Sequence, residues 1–228
     1  TVRGADSFGV LEYCFPDNKL SDDIKLLLDE VVGPTTRTLM YAYELDPGDG
    51  GFITPEQAKI GDALYLKICQ KSTKVSGFQK FLVGLSGPRK KIRSVMHSLM
   101  VKNPQFVAES RTKLEEAAAK LEPMLDDPIF NGSKEGEEIA PGAIAVASLF
   151  QIMVCAPEFQ RVVFGGEVVS LDELPEGYRK DVEYWRQRKV GQFTMAMYKR
   201  RSEVRRRIAA AASVAALEVR QPAEVPSA

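Results

Sequence analysis

Hydrophobic positions recur at helical spacing along almost the whole chain. Between residues 21 and 45, Ile24, Leu27, Leu28, Val31 and Val32 share one face and are followed by Leu39, Ala42 and Tyr43, which predicts a long helix. Ser21 stands where an N-cap is needed, since its hydroxyl can accept a bond from an orphan amide of the first turn. Asp46-Pro47-Gly48 ends that helix. A second helix is expected from Thr54-Pro55-Glu56, a threonine cap with proline at the first helical position, to about Cys69. A third run covers 88–102 and stops at Asn103-Pro104. Residues 105–125 set Phe106, Leu114, Ala117, Ala118, Leu121 and Leu125 against Lys113, Glu115, Glu116 and Lys120, an amphipathic helix with one side destined for a core.

The eighteen residues from Ile139 to Ala156 carry no charge, which touches the lower limit for a membrane-spanning helix. Pro141 suits a first helical turn, Gln151 sits within the segment, and alanine and serine are frequent, so a helix closely surrounded by others in an all-α core is the better reading. The stretch 164–169 is compatible with a short β excursion. Pro175-Glu176-Gly177 then leads into a long final helix near 178–216. No run alternates in twos over a useful length and no repeat of twenty to fifty residues occurs, so the expected class is an all-α helical bundle.

A chain of 228 residues, 44% hydrophobic and 27% charged, is long enough for a sizeable core. Lys+Arg and Asp+Glu both number 31, so net charge draws the protein to neither nucleic acid nor a membrane surface, and any basic feature is local. One such feature lies between Arg186 and Arg207, where nine Lys/Arg face a single acid, Glu203. Val190, Phe193, Met197, Val204 and Ile208 keep an apolar stripe through it, as in a helix packed on one face and solvated on the other. The same residues allow a docking helix for an acidic protein or lipid surface, and Lys199, Arg200, Arg201, Arg205, Arg206 and Arg207 are its candidate partner-binding residues. Stacking aromatics are missing beyond Tyr198, which disfavours nucleic acid.

Three widely spaced cysteines, Cys14, Cys69 and Cys155, argue for a reducing intracellular compartment and against a disulfide framework. With His97 the only histidine and no metal-ligand spacing, no metal site is expected. The loop DPGDGGFITPEQ, residues 46–57, aligns with a calcium loop by its glycine, but Gly48, Gly50 and Gln57 fall where carboxylates are required. The first residues include Arg3 and Asp6 and no apolar h-region, so no secretory signal is expected, and cytoplasm or the interior of a plastid or mitochondrion fits.

Several motifs, in order, resemble the helical C-terminal domain of the glutathione transferase superfamily. Asp6-Ser7-Phe8-Gly9-Val10-Leu11-Glu12-Tyr13 is similar to the acidic-Ser-x-x-Ile-x-x-Tyr segment that closes the thioredoxin-like half of those enzymes. Val32-Gly33-Pro34 through Tyr43 resembles the first long helix, and Leu125 through Gly132 followed by Ala143 through Leu149 resembles the proline-aromatic-x-Gly loop and central helix. Gly191 through Arg201 is similar to the closing G-x-F-x-x-x-x-Y-x-x-x-R run. The resemblance implies three parts: residues 1–15, the end of a thioredoxin-like domain; 16–177, the helical domain; and 178–228, a long C-terminal helix and tail. It further implies that Asp6 and Ser7 would face the γ-glutamyl carboxylate of glutathione, a favourable place for an anion at a helix start. Leu39, Met40 and Tyr43 would line an acceptor-substrate pocket.

Two departures accompany the likeness. The capping box that usually opens the family's central helix is replaced by Ala140 and Ala143, and extra helical material separates Asp46 from Pro104. Together these suggest a non-catalytic, transferase-like subunit that binds a protein partner in a larger complex, without a cofactor. The alternative is a glutathione transferase whose thiol-activating half lies outside this sequence. A homodimer is compatible with either reading.

Overall fold

Helix α9, Pro141–Val154, is the axis around which the other helices are arranged. The structure, a computed structural model, describes residues 7–44, 55–71, 75–101, 104–131, 139–164 and 169–218. Among these residues every regular element is helical and there is no strand. In chain order they are α1 (Ser7–Cys14), α2 (Asp22–Leu26), α3 (Gly33–Glu44), α4 (Pro55–Lys71), α5 (Gly77–Gly84), α6 (Ser86–Met100) and α7 (Pro104–Leu121). Then follow α8 (Pro128–Asn131), α9, α10 (Pro157–Phe164), α11 (Glu176–Gln187) and α12 (Lys189–Glu218).

The helix expected over 21–45 is one helical run containing a wide turn. Ser21 caps α2 by accepting a bond from the Ile24 amide, and a π-helical turn, Leu27–Val32, joins α2 to α3. Pro34 explains the widening, because it has no amide to offer the carbonyl four residues back and its ring crowds that carbonyl. The carbonyls on the far side of the turn are served by side chains. Thr35 donates to Val31 (2.6 Å), Thr36 to Val32 (2.8 Å) and Arg37 Nε to Gly33 (3.0 Å).

Helix α9 is buried almost from end to end, as its lack of charge requires. It opens at Ala140, which offers no side-chain cap, and Pro141 reduces the number of amides left wanting. Gly142 lets α8 lie directly on it, since a Cβ there would stand 2.7 Å from both the Ile129 carbonyl and the Phe130 ring. The helix stops at Cys155, which turns left-handed at φ 44°, so the last residues of the uncharged segment leave the helical path.

Beyond that stop, Arg186 from α11 donates Nε to the Val154 carbonyl (2.8 Å) and Nη2 to the Cys155 carbonyl (3.0 Å). A guanidinium thus closes the negative end of the central helix. Arg186→Ala is expected to lower the unfolding free energy in urea by about 1–2 kcal/mol, and Arg186→Lys to restore only part of it, because one ammonium cannot match the two-pronged fork.

The final helix expected over 178–216 is interrupted. Arg188 adopts an extended conformation (ψ 149°) between α11 and α12, and the corner is held by polar contacts to α7 and to the 3-10 turn and loop that follow it. Arg188 grips both oxygens of Glu122 (3.0 and 3.1 Å) and also meets Glu115, while Arg111 makes a two-pronged pair with Asp181 (2.6 Å each). Lys189 reaches Asp126 at 2.6 Å. The side chains of α7 and of the α11–α12 corner therefore form a strap across the core.

The added length between residues 46 and 104 holds α4, α5 and α6, which pack on one another and, through α4 and α6, on α3. Asp62 of α4 anchors this layer by accepting from Arg89 (2.9–3.1 Å) and Arg93 (2.6 Å) of α6. The expected β excursion finds no strand in its described residues: Phe164 ends α10, Val169 is bonded at both backbone groups by the Gln160 amide, and 165–168 lie outside the described residues. Most of the calcium-like loop, 46–54, also lies outside them.

Candidate functional site

Helix α12 lies along α9 because Val190, Thr194, Met197 and Tyr198 recur at helical spacing and are all buried. Thr194 is tolerated in that seam because its hydroxyl donates to the Val190 carbonyl at 2.8 Å. One turn beyond Thr194 the two helices leave a cleft of about 270 Å³. Ile139, Ile144, Ala147 and Met197 give it apolar walls, and Ser148, Tyr198 and Arg201 contribute the polar groups.

The two hydroxyls are already oriented by α9. Ser148 donates to the Ala145 carbonyl (2.9 Å) and Tyr198 to the Ala147 carbonyl (3.4 Å), so their remaining capacity toward a ligand is as acceptors. Burial pushes the Tyr198 phenol up to about 12, against a smaller opposing pull from Arg201, and the group stays protonated at physiological pH. Phe159 meets the Tyr198 ring edge-on at 5.4 Å and fixes its position. Arg201 is exposed and, among the described residues, makes no ion pair. An apolar hollow with one available cation suits a molecule or side chain that is apolar at one end and acidic at the other.

A second cleft of about 260 Å³ lies at the opposite end of α9, lined by Cys155, Pro157, Val169, Leu171, Leu174 and Arg186 among others. Its cation is already used on the helix carbonyls. Its thiol lies 3.6 Å from the Tyr178 hydroxyl, which itself donates to the Ile152 carbonyl at 2.6 Å. These are groups committed to ending a helix.

The residues expected to act fall in separate places. Lys199, Arg201, Arg206 and Arg207 are exposed on α12 and Arg200 is half-buried there; Arg205 is on the same helix, with its side chain outside the described residues. Leu39 is sealed in the core and Met40 is half-buried on α3. Neither of them lines the cleft between α9 and α12. Ser7 opens α1, whereas Asp6 and the side chains of Ser7 and Tyr43 lie outside the described residues.

Sequence reasoning found both walls of the cleft but not their meeting, and it overlooked Ile139, Ile144 and Ser148. The available signal was Tyr198 and Arg201 three positions apart on one helical face, opposite the serine of an uncharged helix. Among the described residues no cluster of His, Cys, Asp or Glu could hold a metal ion, and no helix is long and apolar enough to cross a membrane. No family model, no curated protein and no solved structure matches this chain.

Proposed function

We propose that this chain is a non-catalytic interaction domain, built like the helical domain of the glutathione transferases, that docks an acidic protein segment along α12. The observation that carries this reading is the state of the basic face: Lys199, Arg201 and Arg206 are exposed and make no ion pair among the described residues, beside an apolar cleft able to take a side chain of the partner. The cations that tie elements together are paired with acids, as at Asp62, Asp181 and Glu122, so these exposed charges are not needed to hold the fold. The cleft's hydroxyls bond to backbone carbonyls and its phenol stays protonated, a set fitted to binding rather than to proton transfer. The all-helical architecture with a buried central helix supports the transferase likeness, and the uncapped opening of that helix at Ala140 is a departure from it.

The test is charge reversal in the natural complex. Lys199→Glu/Arg201→Glu/Arg206→Glu is expected to leave the thermal midpoint nearly unchanged, because the three side chains are exposed, while converting the protein from a larger species to its free monomer by light scattering. A complex that survives this substitution, or glutathione-dependent turnover by the chain itself, would overturn the reading.

A further inference from the structure

Helix α6 is inside out. Its inward face carries Arg89 and Arg93, with side chains 11% and 5% exposed, both bound to Asp62. Its outward face carries Val95 and Leu99, which are 50% and 67% exposed, one turn after the exposed Lys91. Helix α5, joined to α6 through Leu85 alone, repeats the inversion: Phe78 and Phe81 are 70% and 63% exposed one turn apart. Aromatic rings on a short surface helix gain nothing from water, and Asp62 explains why the arginines turn inward but not why the apolar groups turn outward.

The exposed charges on α6 beside them are cations, Lys90 and Lys91. From Ala63 to Ala108 the sequence contains nine Lys/Arg and no Asp or Glu. Of these, Arg89 and Arg93 pair with Asp62 and Lys67 with Glu173, whereas Lys90 and Lys91 are exposed and make no ion pair among the described residues, which leaves the outward side of the layer basic. Protruding apolar side chains beside the exposed Lys90 and Lys91 fit a surface that is anionic outside and apolar just beneath. A protein partner would need a separate pocket for each side chain; a bilayer interface receives them wherever they stand.

We propose that α5 and α6 form a peripheral membrane-docking surface for anionic lipid, with Phe78, Phe81 and Leu99 entering the interface while Lys90 and Lys91 remain at headgroup level. The surface is separate from α12, and its failure would leave the α12 reading untouched.

The experiment is co-sedimentation of the full chain with vesicles of phosphatidylcholine alone and of equal parts phosphatidylcholine and phosphatidylserine. Binding is expected only to the anionic vesicles and is expected to be lost in molar salt. Phe78→Ser/Phe81→Ser is expected to weaken it about tenfold or more while helicity by circular dichroism is unchanged, and Lys90→Glu/Lys91→Glu to weaken it independently. No partitioning, or partitioning insensitive to both substitutions but abolished by charge reversal on α12, would overturn the proposal. So would self-association that Phe78→Ser/Phe81→Ser dissolves without any vesicle binding, since the occupant would then be a second copy of the chain.

Discussion

Asp62→Asn is expected to destabilise the protein by about 3 kcal/mol, measured as a lower urea midpoint. One carboxylate serves two guanidinium groups that the fold has taken largely out of water, and asparagine would leave both charges buried beside a neutral amide. Arg89 is committed further, donating to the Val83 carbonyl at 2.8 Å, so it cannot swing out to solvent without disturbing the end of α5. The pH dependence has a definite sign. The hydrogen bond from Arg89, with lesser help from Arg93 and against the cost of burial, holds the Asp62 carboxyl below its ordinary value of 3.8. Its contribution is therefore complete above that pH and is lost as the pH falls through the depressed value. Between pH 5 and strongly acidic solution, the wild type should lose more stability than Asp62→Asn. Equal acid sensitivity in the two proteins would refute the assignment.

The second large effect is expected from a single methyl group. A Cβ on residue 191 would stand 1.8 Å from the Trp185 carbonyl oxygen and 2.7 Å from its carbon, both backbone atoms with no rotamer by which to yield. Gly191→Ala should accordingly cost about 3 kcal/mol or more by opening the corner between α11 and α12. The corner contains its own reporter, because Trp185 is the only tryptophan of the chain, is fully buried, and has the Arg188 guanidinium 5.7 Å from its ring. The variant should show altered tryptophan fluorescence in the native state as well as a lower unfolding midpoint. A stable Gly191→Ala with unchanged fluorescence would mean that the corner is far more compliant than its geometry indicates.

Where local chemistry decides, the sequence was legible. Ser21 caps the helix that it was expected to cap, the amphipathic segment 105–125 became α7 with a short 3-10 continuation, and the uncharged stretch became the buried axis. The S-x-x-Q pattern at Ser76–Gln79, which opens α5 with a full capping box, was present to be read and was passed over. Two features depended on distant partners. The break at Arg188 depends on acids of α7 and of its 3-10 continuation and on the close approach that Gly191 permits, while the arginines of α6 are turned inward by Asp62, 27 and 31 residues away. A charged run at helical spacing ordinarily means a solvated face, and only the fold shows which acid overrules that habit. The cleft was illegible for the same reason, since its two walls lie about fifty residues apart and become a site only when α12 is laid on α9.

The strap from α7 to the α11–α12 corner also sets an order of events during synthesis. Its ionic partners are separated by 63 to 73 residues, so Arg111, Glu115, Glu122 and Asp126 leave the ribosome with nothing to hold and wait for the corner to follow. At ordinary elongation rates that interval is on the order of several seconds, long beside the formation of any single helix. In the later part of it, once Val154 has been added, the uncharged α9 is complete while α12, which will cover it, is still unmade. The growing chain therefore passes through a stage at which its most apolar helix lacks the cover of α12.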